Sequence, residues 1–532
     1  MTSPQRAPRV CRICRIKKKA CGKELPTCSY CFKRGFDCVY ETESDTPPMS
    51  ENVAEAFKPW SLILFPMSIS TATLDRTMAY HMHYLYKVVG QSPLQSGQRF
   101  LDNFQRWLPI IAPRRLHEHI ELSEQGLPGA DVSILLLSIC LVTLRSGGDL
   151  DDPFLHSSAV HVTVKTLYAQ VQAITHASIA LVQAGVVLSA YEYASGQIDS
   201  AYISIAACIR MAQVVDVDTA YEKLGATQEE TRLQATSEWN LWWSIIVLER
   251  FILLEHSNTG RRNPIAVCPD SDVPLPSDTE SNGEYIPTYC TMSSSTIQSS
   301  SNLSSFGRQA QAIYLLDRCL HEIHQSKQGE SELQLLKLQE LDKDLQERLS
   351  IFMTQTPHEP GLRCGTIATV IRSLHILHSE ILSIAGLLPV GANREGWVKS
   401  SEAALETITT IMIDVAKHHL DYIARSGVDS LASCCACNLR VAIRYTEDRC
   451  KHGFEMEHEL VVASGSPTHC LRSLVSDDGN MIYTSLVYNQ VVMLTWPAPS
   501  CRLSEATIGA QSALASHIEA LDCCLITQPL QM

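Results

Sequence analysis

Six cysteines near the start of the chain have the side chains and the spacing for metal chemistry. They are Cys11, Cys14, Cys21, Cys28, Cys31 and Cys38, in the pattern C-x2-C-x6-C-x6-C-x2-C-x6-C. Zinc prefers four tetrahedral ligands and binds thiolates well. Six thiolates cannot give two ions four separate ligands each, so two sulfurs must bridge. The pattern therefore predicts a cluster of two Zn²⁺ held by two similar halves of one small module.

Core packing and disulfide bonding account less well for these cysteines than zinc does. Buried structural cysteines need an apolar neighbourhood, and residues 1–40 contain few aliphatic side chains. Disulfides need an oxidising compartment, yet residues 1–10 lack the apolar stretch of a signal peptide. Because so small a segment needs a staple to fold, we expect the module to be unfolded without zinc.

Basic residues surround the cysteines although the chain as a whole is acidic. Residues 1–40 carry ten Lys and Arg against Glu24 and Asp37, a local charge of +8. The net charge of the chain is −14, so the remaining residues carry −22. A basic head on an acidic body indicates that the head binds a polyanion and the body does not.

Residues 11–40 resemble the DNA-binding domain of the fungal binuclear zinc cluster transcription factors. The resemblance rests on the six cysteines, the basic run Arg15 to Lys19, Pro26 before the fourth cysteine and Tyr40 after the sixth. It implies that Cys11 and Cys28 are the bridging ligands. It further implies that the other ligands form two pairs, which are Cys14 with Cys21 and Cys31 with Cys38.

The same resemblance implies how the module binds double-stranded DNA. A short helix after the second cysteine enters the major groove and reads a CGG-like triplet. The resemblance places Lys18 at the guanine-reading position, with Lys17 beside it, and an ammonium donates well to guanine O6 and N7. Phosphate contacts, which carry no sequence information, fall to Arg15, Lys19, Lys33 and Arg34. Ala20 departs from the family, which usually has a basic residue there, and this reduces the expected affinity.

The rest of the chain predicts a large all-α body. Apolar residues recur at three- and four-residue spacing in seven segments, which are Val132 to Leu144, His176 to Tyr193, Ala201 to Val215, Ser237 to Leu254, Leu333 to Phe352, Thr366 to Ile384 and Ser401 to Ile423. A run rich in Ser and Thr, from Ser277 to Ser305, interrupts this pattern and predicts a surface loop. The longest apolar run is shorter than a membrane span needs, so we expect no membrane partner.

A second resemblance lies inside the body. Trp242-Trp243, Glu249-Arg250, the run Gly260 to Ile265 and the run Asp272 to Pro276 are similar, in this order, to the middle homology region of the same fungal family. The resemblance implies an all-α regulatory domain. From burial statistics alone, the two tryptophans are predicted to be core aromatics, and Glu249 with Arg250 a pair on the helix surface or in the core.

These features divide the chain into five parts. We predict a zinc cluster domain over 1–42, a proline-containing linker over 43–74, a helical regulatory domain over 75–280, a loop over 281–305 and a C-terminal helical part over 306–532. Prolines in the linker argue against a coiled coil directly after the zinc module. Homodimerisation through the body and binding as a monomer both remain open.

The sequence predicts a nuclear, sequence-specific transcription factor of the RNA polymerase II type, which would contact the transcription machinery. Its family favours a pathway-specific regulator, for instance of a secondary-metabolite gene cluster. The alternative is a zinc-module interaction protein, a corepressor or adaptor without direct base reading.

An enzyme is disfavoured because we find no catalytic constellation: His321 and His324 lack the spacing of a zinc protease. His375, His378 and Glu380 favour a helix surface, and Cys434, Cys435 and Cys437 favour core packing.

Overall fold

The structure is a computed structural model in which a small cysteine-rich unit precedes a large helical one. Contacts between Cα atoms divide the chain into Met1–Ser70 and Thr71–Met532. The described residues are 7, 10, 11, 13, 14, 17–36, 38, 40, 70–126, 128–144, 157–255, 263–277, 304–325, 331–354, 364–387, 392–426, 438, 440–442, 444–446 and 449. Most of the predicted linker, most of the predicted Ser/Thr-rich loop, and Cys434, Cys435 and Cys437 lie outside them.

The described residues of the body are mainly helical and form no strands, which confirms the predicted all-α class. After α1 (Ser29–Arg34) in the zinc module, the body contains α2 (Thr71–Val89), α3 (Pro93–Asp102), α4 (Phe104–Trp107), α5 (Pro113–Gln125), α6 (Ala130–Val142), α7 (Ser157–Ile174), α8 (Ile179–Ala194), α9 (Ile198–Val214), a 3-10 helix (Val217–Lys223), α10 (Glu229–Glu255), α11 (Ser305–Gln325), α12 (Ser331–Thr354), α13 (Cys364–Leu387) and α14 (Ala392–Ser426). The seven predicted segments all fall on helices. The largest differences in boundary are that α10 begins at Glu229 rather than Ser237, and α14 at Ala392 rather than Ser401.

Helices α6 and α8 form the centre of the first half of the body. Nearly every side chain of both helices is buried, as expected for helices surrounded by others. Their N-termini are joined because the Ser178 hydroxyl donates to Asp131 (2.7 Å) and also accepts the N–H of Leu181 (3.2 Å). Where α8 meets α9, a Cβ at Gly185 would lie 2.5 Å from the Cys208 sulfur. The absence of a side chain at Gly185 thus allows this close packing.

Helix α13 forms the centre of the second half and packs against α11, α12 and α14. Its buried residues share one apolar core with α11, α12 and α14, and that core includes Leu338, Leu341 and Leu345 of α12. Of the described residues, only Gly365–Gly386 forms a single helix long and apolar enough to cross a membrane, and two bent helix pairs would bring the number of spans to three. The criterion of a long uninterrupted apolar run does not identify this segment, because polar residues such as Ser373 interrupt it. In this fold its Leu374 and Leu377 are core residues.

A buried ionic network joins α10 to the segment that follows it and to α11. The Arg250 guanidinium donates to Asp317 (2.5 and 2.9 Å), to Glu249 (2.6 Å) and to the carbonyl of Ala266 (2.7 Å). Glu249 accepts the N–H groups of Ile265 (2.6 Å) and Ala266 (3.0 Å). Burial raises the pKa of the Glu249 carboxyl, whereas Asp317 and Glu249 raise the pKa of Arg250 against its burial. The sequence left open whether Glu249 and Arg250 pair on the helix surface or in the core, and in the structure the pair is buried.

Two further sequence predictions in the body have clear outcomes. Trp242 and Trp243 are buried, which confirms them as core aromatics. The helix-surface prediction for the histidines of α13 was wrong for His378, which is buried and lies 3.3 Å from both Asp342 and the Ser401 hydroxyl. His375 is half-buried with its ring against Tyr445. Helical spacing predicted that both histidines lie on one helix. It could not show that α12 and α14 cover that helix.

Candidate zinc cluster and DNA interface

The six cysteine sulfurs lie together and form two overlapping groups of four. Within each group all sulfurs are within 4.8 Å of one another. The groups are Cys11, Cys14, Cys21, Cys28 and Cys11, Cys28, Cys31, Cys38. Cys11 and Cys28 therefore belong to both groups, and each group has the four thiolates that one tetrahedral zinc ion needs.

The separations between sulfurs fit zinc. With Zn–S bonds of about 2.3 Å, two thiolates on one tetrahedral ion lie about 3.8 Å apart. The Sγ atoms of Cys11 and Cys28 are 3.8 Å apart, those of Cys14 and Cys28 are 3.7 Å apart, and those of Cys11 and Cys31 are 3.6 Å apart. The first distance suits two sulfurs that both ions share, and the others suit one edge of each tetrahedron.

Local backbone structure directs N–H groups at the sulfurs. Cys28 caps the N-terminus of α1, and its sulfur accepts the N–H of Cys31 at 3.4 Å. The Cys38 sulfur accepts the N–H of Cys28 at 3.3 Å. Burial opposes ionisation of the Cys28 thiol, but the N–H of Cys31 and neighbouring thiols lower its pKa to about 6. Burial raises the pKa of the Cys31 thiol to about 12, so this thiol needs the positive charge of zinc to ionise.

The two halves of the module repeat the same turn. The N–H of Lys19 donates to the carbonyl of Cys14 (3.0 Å), and the N–H of Phe36 donates to that of Cys31 (3.1 Å). Such bonds close a helix end through a residue in the left-handed conformation. In the second half that residue is Gly35 (φ 64°), whereas in the first half it is Lys18 (φ 48°). A non-glycine residue is strained there by about 1–2 kcal/mol.

Most of the predicted DNA-contacting residues are exposed. Lys17, Lys18, Lys19, Lys33 and Arg34 have their side chains in solvent, while Arg15 lies outside the described residues. Lys17 and Lys18 lie in a turn, and the N–H of Lys17 donates to the carbonyl of Ile13 (2.9 Å). The Lys17 ammonium also lies 4.0 Å from the centre of the Phe36 ring, a cation–π contact that orients it.

Sequence reasoning missed Glu24 as a structural residue of the module. Its carboxylate accepts the N–H of Ser29 (3.0 Å), and its carbonyl accepts the Tyr40 hydroxyl (2.9 Å). These bonds join the segment between the halves to the start of α1 and to the residue after the last ligand. Its rarity as an acidic residue in a basic segment, which has only Asp37 besides, was the available signal.

Comparison with known families agrees with this geometry. The model of the fungal Zn(2)-Cys(6) binuclear cluster domain matches residues 9–47, and that of the fungal specific transcription factor domain matches residues 98–388. The class of protein is therefore a transcription regulator with a DNA-binding zinc module and a helical domain. The chain belongs to the fungal specific transcription factor family, and its cluster domain binds two zinc ions.

Proposed function

We propose that this protein regulates transcription by RNA polymerase II in the nucleus and reads a CGG-like triplet through its zinc module. The observation that carries the proposal is the exposed turn Lys17 to Lys19, which is hydrogen-bonded to the backbone of Cys14 next to the paired sulfur groups. A base-reading side chain must be held rigidly. Attachment to a metal cluster provides that rigidity.

In the proposed cluster, Cys11 and Cys28 bridge the two ions. Cys14 and Cys21 complete one site, and Cys31 and Cys38 complete the other. Two zinc ions and six thiolates carry a charge of −2, which the surrounding lysines and arginines offset. The remaining positive charge is available for a polyanion.

Within this mode Lys18 donates to guanine O6 and N7, with Lys17 beside it. Lys19, Lys33, Arg34 and Arg15 contact phosphates, which supply affinity and salt dependence. The strained backbone of Lys18 supports its assigned role. Glycine would be more stable at that position, so the presence of a lysine there supports a functional role for its ammonium.

The acidic body would control the activity of the module and recruit the transcription machinery without catalysis of its own. Because proteins of this family often govern one pathway, we extend the proposal to a pathway-specific regulator, for instance of a secondary-metabolite gene cluster. Deleting the gene and measuring all transcripts tests this part. A change confined to one set of neighbouring biosynthetic genes is the expected result.

Base reading is tested by selecting DNA sites from a random library with the full chain and with two single variants. Lys18→Ala should lose the triplet preference, since each good base contact contributes about 1–3 kcal/mol of discrimination. Lys19→Ala is the matched control and should weaken binding to all sequences equally. The spacing of selected triplets also reports whether one or two copies bind. Retention of the preference in Lys18→Ala would contradict the proposal.

A further inference from the structure

The zinc module exposes one large aromatic side chain that its fold does not use. Phe32 is 79% exposed, more than any other large apolar side chain in the described part of the chain. The other described phenylalanines are buried or half-buried, among them Phe36 in the same module. An exposed phenyl ring forgoes the transfer free energy that burial would give. A bound partner could recover it.

The position of Phe32 on α1 gives its surface a mixed character. Cys31 is buried in the cluster and Tyr30 packs against it, so these two residues form the inner face of α1. Ser29, Phe32 and Lys33 are exposed and lie three and four residues apart, which places them on one outer face. This face offers a hydroxyl, an aromatic ring and an ammonium side by side.

Charge complementarity identifies the occupant of this face. Lys33 and Arg34 follow the ring directly on α1, and the turn Lys17 to Lys19 in the other half adds three more exposed cations. A second copy of this basic module would bring like charges together, whereas DNA brings phosphates to each cation. We propose that Phe32 packs against DNA, with its ring on the apolar surface between the phosphates that Lys33 and Arg34 contact.

This inference rests on the proposed function and extends it to a residue that the basic pattern does not mark. DNA offers two apolar surfaces to such a ring, which are the deoxyribose carbons of the backbone and the methyl group of thymine in the major groove. Either contact removes the ring from water without neutralising a phosphate. The contact therefore adds affinity and leaves the number of released counterions unchanged.

The test measures binding of the full, zinc-loaded chain to a duplex containing its selected triplet at several salt concentrations. Phe32→Ala should bind about tenfold more weakly, with the wild-type slope of log affinity against log salt. Lys33→Ala should instead reduce that slope by about 0.9. Leu25→Ala is the matched control, because Leu25 is also exposed in the module (42%) but lies between Glu24 and Pro26, with no cation directly after it. It should bind like the wild type.

Zinc content and a duplex with uracil in place of the thymines complete the design. Since Phe32 lies on the outer face, its variant should keep two zinc ions. Weaker wild-type binding to the uracil duplex, without further loss in Phe32→Ala, assigns the contact to a thymine methyl; equal wild-type binding to both duplexes assigns it to the sugars. Unchanged affinity in Phe32→Ala, a lowered slope, or an equal loss in Leu25→Ala would overturn the inference. In each of these cases triplet-specific binding by the wild type would still uphold the proposed function.

Discussion

The zinc module and the helical body bury very different side chains. The buried residues at the centre of the module are Cys11, Cys14, Cys28 and Cys31, whereas the core shared by α11 to α14 is mainly leucine and isoleucine. Without metal, the module's sulfurs have little to hold them together. The body holds its charged residues in place by pairing, as in the network around Arg250. Metal loss should therefore unfold one unit and spare the other.

The largest expected effect is the loss of a bridging cysteine. Cys28→Ser removes a ligand that both sulfur groups share, so both ions should be lost, and zinc binding contributes about 10–16 kcal/mol to folding in small modules. We expect less than one zinc per chain, no triplet-specific DNA binding, and an unchanged melting temperature of the body. Metal analysis and circular dichroism of the full chain check this. Cys140→Ser, a buried cysteine of α6, is the control that should keep both zinc ions.

Arg250→Met is expected to destabilise the body and to leave the zinc module intact. The substitution leaves the buried Glu249 and the half-buried Asp317 without their cation, which costs about 3–5 kcal/mol. Urea unfolding followed by circular dichroism should show this loss while zinc content stays at two. Arg318→Met is the matched control, since Arg318 is 44% exposed and pairs with Asp344 on the surface, where such pairs contribute below about 1 kcal/mol. Equal effects in the two variants would refute the structural role of the buried network.

Acid should weaken the body through His375. Burial in the first place, and then the neighbouring Arg372 and His378, lower the pKa of His375 to about 3. The unfolded chain therefore binds a proton on this residue below pH 6.5 and the folded chain does not. Stability should fall as the pH drops from 6.5 toward 3, by up to about 1.4 kcal/mol per pH unit from this group. His375→Gln should show a shallower decline in urea unfolding between pH 6.5 and 5, and an identical decline would contradict the account.

The smallest effect concerns the two halves of the module. Lys18→Gly relieves the left-handed strain but gives the unfolded chain more freedom, for a net gain of about 0.5 kcal/mol. More chelator should then be needed to remove half of the zinc, while triplet preference is lost. Gly35→Ala places a side chain at the equivalent turn and should make zinc easier to remove. Easier zinc removal from Lys18→Gly than from the wild type would contradict the equivalence of the two turns.

Sequence alone predicted the parts of this molecule that depend on local spacing. The cysteine pattern predicted two zinc ions, and apolar spacing predicted the seven helical segments. It did not predict contacts between residues that are far apart in the sequence. Asp317 joins Arg250 across the predicted loop, and His378 becomes buried because α12 and α14 cover it. Neither residue has a local pattern that marks its partner.

The backbone conformation of the zinc module also could not be predicted from the sequence. Lys18 is one lysine in a run of three, and the spacing of the cysteines does not show that it takes the left-handed conformation of Gly35. Nor does the basic run mark Phe36, whose ring orients Lys17. These features depend on how the two halves fold around shared sulfurs, and the ligand spacing does not contain that information.

The dependence of DNA binding on zinc stoichiometry tests the central claim most directly. Zinc is removed from the full chain and added back in steps, and the number of ions per chain is measured together with affinity for the CGG duplex and for a scrambled duplex. Because Cys11 and Cys28 serve both sites, triplet-specific binding should appear only as the second ion is bound. Specific binding by the metal-free chain, or full specific binding with one zinc per chain, would contradict the account.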